Sequence, residues 1–308
     1  MGRFAPLFII LAASLWGVDG IVLRPALYGL PVPLVVLIES TIVALFLSPI
    51  FAKQYPKIKS LTKKDWLAFF AVALLGGAVG TMAITKALFY VNFVSLSVVI
   101  LIQKLQPVFA LILAAIILKE RLPKVFFLWS GIAIIGAYIM TFGLSFPDFQ
   151  TGDKTVIAAF LSLIAAISFS SSTVFSKRAL KNVGFELGTY LRFLISAIIL
   201  LVIVIFMGNF DSLTTISNKQ WIIFFIIAFT TGGAAIFLYY YGLKKITAST
   251  ATICELAFPL TAVILDYFIH DNILTVTQWL GVLILITSIV KVSTLRFEVK
   301  QVVEKLAK

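Results

Sequence analysis

From residue 5 onward the chain reads as long apolar blocks separated by short polar ones, with no sustained alternation of period two. Ten blocks approach the length of a bilayer span: about 5–27, 33–51, 66–88, 94–118, 124–143, 155–176, 187–207, 220–243, 248–269 and 273–293. A spanning helix needs roughly 20 predominantly apolar residues. Several of these blocks are apolar on every face, so hydropathy rather than amphipathic periodicity identifies them. The pattern predicts an all-α membrane protein with ten transmembrane helices. Almost nothing is left over for a soluble domain.

Composition agrees. Of the 308 residues 61% are hydrophobic and only 12% charged, and the mean hydropathy is +1.10. Soluble domains average about 45–50% apolar and about 25% charged. At the N-terminus, Arg3 and FAPLFIILAAS imitate a signal peptide, but the apolar run continues through LWGVDGIVL, beyond the short core of such a peptide. The first helix is therefore expected to be retained. The one cysteine, Cys254, excludes an internal disulfide, and with the one histidine, His270, it supplies too few ligands for a usual zinc site. No cofactor is expected; a carboxylate-bound ion stays open.

The net charge of +12 raises the question of nucleic acid, and the placement of the charges answers it. If the N-terminus is cytoplasmic, 19 of the 25 Lys and Arg fall on cytoplasmic segments, five of them in KQYPKIKSLTKK and five from Lys291 onward. Only Arg24, Lys86, Lys154 and Lys219 fall outside, and Lys104 and Arg192 lie within helices. The positive-inside rule then predicts both termini in the cytoplasm. The basic tail RFEVKQVVEKLAK is either drawn to anionic headgroups or a solvated end.

Half the chain repeats the other half at an offset of about 150 to 155 residues. Trp66 in KKDWLAFF matches Trp221 in NKQWIIFF, GGAVG at 76–80 matches TGGAA at 231–235, Pro107 matches Pro259, and Gly131 falls near Gly281. Arg24 in VLRPAL lies opposite Arg178 in FSKRAL. Five helices per half is an odd number, so the second copy must be inverted relative to the first. Residues 1–145 and 153–293 are the expected repeats, with 294–308 a short cytoplasmic tail. Secondary transporters are commonly built this way, with the substrate site near the midplane at the repeat interface.

The stretches ASLWGVDGIVLRPAL, PVFALILAAIILKERL with GIAIIGAYI after it, and the echoes FPLTAVILDYFIHDNIL and GVLILITSIV resemble the EamA-like branch of the drug/metabolite transporter superfamily. The resemblance covers roughly residues 5 to 293. It implies ten helices as two inverted five-helix repeats, alternating access, and often export of amino acids or other metabolites. There are departures. Glu39 stands where the family often has Arg, while Arg192, its repeat mate 153 residues on, keeps the family pattern. The spacer before Pro107 is a few residues longer than the one before Pro259.

Six ionisable residues fall inside the predicted spans: Asp19, Glu39, Lys104, Arg192, Glu255 and Asp266. A charge at the helix centre costs about 2.5–3.5 kcal/mol on insertion scales, so six facing lipid there would cost on the order of 15–20 kcal/mol. That rivals the whole stability of a fold, about 5–15 kcal/mol. Most must face a wet cavity, pair, or snorkel. Arg192 and Asp266, near helix ends, read as anchors. Lys104 and Glu255 lie three and four residues before Pro107 and Pro259, where a proline frees backbone groups that need a cavity or partner. Lys104 is expected to face the central pathway with Glu255 as its opposite charge, as a structural pair or in contact with substrate or a proton.

Asp19, three residues after Trp16, suits a substrate ammonium, a proton or a buried hydrogen bond; Trp16, Glu39 and Gln103 join the candidate lining. The hydroxyls of SFSSST, Ser168 and Ser172 among them, serve either substrate or close helix packing. Gly76, Gly77, Gly80, Gly232 and Gly233 read as packing positions. Tyr239, Tyr240 and Tyr241 form an interfacial belt or a pocket wall. GGAVG lacks the Gly-Lys-Ser/Thr of a phosphate loop, and no serine adjoins His270, so neither ATP-driven transport nor an intramembrane hydrolase is expected. The predicted protein is a multi-pass carrier of small polar or amphipathic metabolites, most often amino acids, exported across the cytoplasmic membrane as a monomer or weak dimer. Protons are the candidate coupling ion. A passive channel of the same architecture is the alternative, and an intramembrane enzyme a distant third.

Overall fold

The computed structural model describes residues 4–90, 99, 102–146, 153–270 and 273–295; the side chains of 50–53, 55, 153, 155, 266 and 270 lie outside that description. The Asp266 carboxylate and the basic tail are therefore not placed. Among the described residues every regular element is a helix. Nine are long and apolar enough to cross a membrane, and the tenth predicted span, 94–118, is described only in part, as the shorter apolar helix Gln106–Leu118. The protein is thus an all-α, multi-pass membrane protein.

In chain order the α-helices are α1 (Ala5–Val18), α2 (Val32–Lys59), α3 (Lys63–Val72), α4 (Gly80–Tyr90), α5 (Gln106–Leu113), α6 (Lys124–Phe142), α7 (Asp153–Ala179), α8 (Phe185–Phe206), α9 (Asn218–Ile227), α10 (Gly233–Leu243), α11 (Ala248–Cys254), α12 (Ala257–His270) and α13 (Val276–Thr294). Several starts follow local chemistry. T-x-x-D, S-x-x-Q and T-x-x-Q make reciprocal capping boxes at Thr62/Asp65, Ser217/Gln220 and Thr275/Gln278, each satisfying two otherwise orphaned backbone donors. α2 runs to Lys59, about eight residues past its predicted end, so most of KQYPKIKSLTKK is helical. Lys57 and Lys59 in its last turn complement the negative helix terminus there.

Four spans are not uniform α-helices. Wider π turns occupy Asp19–Leu23, Ala73–Val79, Ala114–Leu118 and Ala228–Gly232. The second holds most of the predicted GGAVG cluster, and the fourth takes in the first two residues of TGGAA. The expected proline kinks are full interruptions. A two-residue turn, Lys104–Leu105 or Glu255–Leu256, precedes each proline-containing helix, closed by the three-residue bonds Leu105 N–H to Ile102 O (3.0 Å) and Leu256 N–H to Ile253 O (3.1 Å). Proline cannot donate the next α-helical bond, so the ladder tightens and restarts.

Packing relies on close backbone approach. A Cβ at Gly281 would overlap the Ile139–Met140 backbone, joining α13 to α6, and one at Gly242 would meet Ala5 O and Ile9, joining α10 to α1. Gly76 and Gly77 leave room for Ser172 and Ser196, so the small residues there let α7 and α8 approach the π turn. In a bilayer, where lipid is as apolar as leucine, such contacts drive association. Large apolar side chains such as Leu45, Phe46, Leu67 and Ile222 are exposed on the outer surface, as lipid contact requires.

Candidate functional site

A cavity of about 240 Å³ lies among α1, α2, α7, α8, α10 and the interruption before α12. Seven of the nine residues singled out from the sequence reach its wall: Trp16, Asp19, Glu39, Gln103, Ser172, Tyr239 and Glu255. Ser168 is buried off the wall. Lys104 lines a side cavity of about 30 Å³ between Pro107 and Pro259.

At one end of the cavity stands an ion cluster. Arg24 Nη2 is 2.5 Å from Asp19 Oδ2, and its Nη1 is 3.4 Å from Glu39 Oε1. Arg24 Nε also donates to Asp19 Oδ2 (2.7 Å), Nη1 to Thr85 Oγ1 (3.2 Å) and Nη2 to Glu39 Oε2 (3.4 Å), while Thr231 donates to Asp19 Oδ1 (3.3 Å). All three charged residues are buried, at 8% exposure each. The cluster holds two carboxylates and one guanidinium, and Glu39 Oε1 has no hydrogen-bond donor.

The sequence reading put Arg24 in an outside segment; the structure buries it in the cavity. Asp19 and Arg24 are five residues apart, about 140° around an α-helix, and would face different ways. The π turn closes that gap: Arg24 N–H bonds to Asp19 O, an i to i−5 bond that brings the two residues to one face. The available signal was an energetic one. Two carboxylates inside predicted spans demanded a cation within reach.

At the other end, Glu255 is held by neutral donors. Gln106 Nε2 donates to Oε2 (2.6 Å), and Tyr239 OH (2.6 Å) and Thr173 Oγ1 (3.4 Å) donate to Oε1. Trp16 packs against Tyr239 with ring centroids 5.4 Å apart. The pairing of Lys104 with Glu255 expected from the sequence is not found. The ion pairs on the cavity wall are those of Arg24, and Lys104 Nζ instead donates to Thr141 Oγ1 on α6, 5.7 Å from the Phe142 ring centroid. Its place in the turn before α5 aims the ammonium away from the main cavity, and Gln106, two residues on, takes the position facing Glu255.

Arg192, read as an anchor, is on the cavity wall, with Nη1 3.4 Å from Tyr240 OH. The three tyrosines separate. Tyr239 lines the cavity, Tyr240 is in the core and bonds Ser176 at 2.9 Å, and Tyr241 lies under Lys245 Nζ at 3.3 Å from its ring centroid. Gln103 Nε2 donates to Ser162 O (2.8 Å). Phe169, Phe193 and Phe258 complete the aromatic part of the wall; nothing in an apolar sequence distinguishes them from lipid-facing phenylalanines.

The site therefore offers aromatic faces, hydroxyl and amide groups, and three carboxylates against two guanidinium groups, within a largely apolar enclosure. That is the composition of a small-molecule binding site with a few orienting polar groups.

Known proteins resemble the chain over most of its length. A riboflavin transporter of Fusobacterium nucleatum subsp. nucleatum, ImpX, is 47% identical over 290 residues, covering 94% of this chain and 97% of that protein. An uncharacterized transporter of Synechocystis sp. is 27% identical over 76% of this chain and 67% of its own length. A solved crystal structure superimposes with a TM-score of 0.73 at 16% identity, over 94% of this chain and 96% of the other, a likeness of fold. The profile of the EamA-like transporter family matches residues 3–142 and again 156–294. The chain belongs to the EamA-like transporter family.

Proposed function

We propose that this protein is a secondary carrier that moves riboflavin, or a closely related flat heterocycle with a polar tail, across the cytoplasmic membrane by alternating access. The observation that carries this reading is 47% identity over nearly the full length of a protein named as a riboflavin transporter. The cavity chemistry supports it. Trp16, Phe169 and Phe258 on the wall suit the faces of a fused ring system, and Gln106, Thr173 and Arg192 suit ring carbonyls and a hydroxylated chain. The amino-acid substrate expected from the sequence has no support among the relatives and gives way to a flavin. Protons are the coupling ion in this reading, because the wall carries more carboxylate than guanidinium. Counterflow in proteoliposomes tests it. Unlabelled riboflavin on one side should accelerate saturable entry of labelled riboflavin from the other, and an imposed pH gradient should drive accumulation. Linear flux would indicate a channel, and counterflow of amino acids without riboflavin would overturn the substrate. Loading either side separately reads the direction, which the resemblance implied to be export.

The proposed frame is two inverted repeats, 1–145 and 153–293, with both termini cytoplasmic. It is supported by the double family match, by the paired interruptions before Pro107 and Pro259, and by the charge bias of the loops. Single cysteines replacing the exposed Ser60 and Lys154, in a Cys254→Ala background, test the orientation. A membrane-impermeant maleimide applied to intact cells should label position 154 and spare position 60. The reverse pattern would invert the orientation.

A further inference from the structure

A further cavity, of about 410 Å³, lies where three apolar helical segments end. It is built by the first turn of α3, the last turn of α7 with the residues after it, and the end of the π turn that follows α5. Four cationic side chains line it: Lys64, Lys119, Arg178 and Lys181. All four residues are exposed, and among the described residues none of their side chains has a hydrogen bond or ion pair within the protein. The one carboxylate on the wall, Asp65, is already engaged. It accepts from Thr62 N–H (3.0 Å), Thr62 Oγ1 (2.7 Å) and Asn182 Nδ2 (2.9 Å). Arg178 lies close enough to Asp65 to stabilise its charge, which still leaves a large positive excess. Unpaired cations of one sign in a concave site raise the local concentration of anions.

The apolar part of the same site decides which anion. Ile117 and Leu118 line the cavity beside the cations. Next to them in sequence, Ile116 is 68% exposed, and on the first turns of α3 Trp66 and Leu67 are 40% and 69% exposed. These are lipid-facing positions at a span end, adjoining a basic hollow. A soluble phosphate would use the cations and leave the apolar surface idle; a phospholipid would use both.

We propose that this cavity is a binding site for the phosphate headgroup of an anionic phospholipid, with an acyl chain along Ile116 and Leu67. Basic pockets between transmembrane helices are where such headgroups are held. Lys64, Arg178 and Lys181 grip the phosphate, and the bound lipid ties the start of α3 to the end of α7.

The test is native mass spectrometry of the purified full-length protein with phosphatidylglycerol or phosphatidylcholine added. The wild type should retain one phosphatidylglycerol at collision energies that strip phosphatidylcholine. The variant Arg178→Gln/Lys181→Gln should lose affinity for that lipid at least about tenfold, as expected for removing two charges at the surface. Lys154→Gln/Lys219→Gln, which removes the same charge elsewhere, should retain it. If loss of Arg178 beside Asp65 impairs folding, Lys64→Gln/Lys181→Gln carries the same expectation. Unchanged phosphatidylglycerol retention in the pocket variants, or equal loss in the control, would overturn the proposal. So would displacement of the lipid by millimolar inorganic phosphate, which would make this a soluble-anion site.

Discussion

The two ends of the central cavity solve the problem of a buried carboxylate in opposite ways. Asp19 and Glu39 share one arginine, so their charge is met by charge. Glu255 is surrounded by a tyrosine, a threonine and a glutamine, all neutral. Charge pairing in a low-dielectric site gives strong interactions but makes each partner depend on the others. Neutral donors leave a carboxylate able to exchange a donor for one on a substrate without breaking an ion pair, although Arg192 on the same wall still lies within electrostatic reach of it. The ion cluster is thus suited to hold α1 against α2, and Glu255 is suited to change.

The largest effect should come from breaking the charged end. Arg24→Met strands two carboxylates, and removing one member of a buried ion cluster costs about 3–5 kcal/mol. Folded protein, measured as the monodisperse fraction after heating in detergent, should fall sharply. Adding Asp19→Asn to that variant should recover part of the loss, because one uncompensated charge disappears. An Arg24→Met protein as stable as the wild type would show that the cluster does not hold the fold.

The neutral end should respond in function rather than stability. Glu255→Gln keeps one oxygen for Tyr239 and Thr173, and the Gln106 amide can turn to offer its oxygen to the new NH₂ group. Stability should change by no more than about 1–2 kcal/mol, while riboflavin counterflow falls at least tenfold. Full transport by a well-folded Glu255→Gln protein would reduce the residue to a packing role.

The smallest effect sharpens the comparison. Lys104 bonds Thr141 rather than Glu255, although both line the small side cavity, so Lys104→Met and Glu255→Gln should couple only weakly. Their effects on stability should add to within about 1 kcal/mol, less than a direct ion pair would give. A coupling above about 1 kcal/mol in the double-mutant cycle would mean that the two residues meet in a state other than the one described.

How legible was this in the sequence? The spans were, because hydropathy sums over a window and does not depend on which way any one residue faces. The demand that Asp19, Glu39 and Glu255 face inward was legible too, because the cost of a charge in lipid is large wherever it sits. Partner choice was not. It depends on rotation about the helix axis, about 100° per residue, and a single irregular turn resets that rotation. Around Asp19 a π turn brought Arg24 to the same face. Around Pro107 a tight turn carried Lys104 to α6 and gave its expected place to Gln106. The basic pocket at the foot of α3 was invisible for a related reason. Lys64, Lys119 and Arg178 come from three separate segments, and only packing gathers them into one hollow. By itself, then, the sequence determined where the apolar spans lie and which charges must be sheltered; which charge shelters which was decided by tertiary structure, since it turns on local departures from the α-helix that no apolar pattern records.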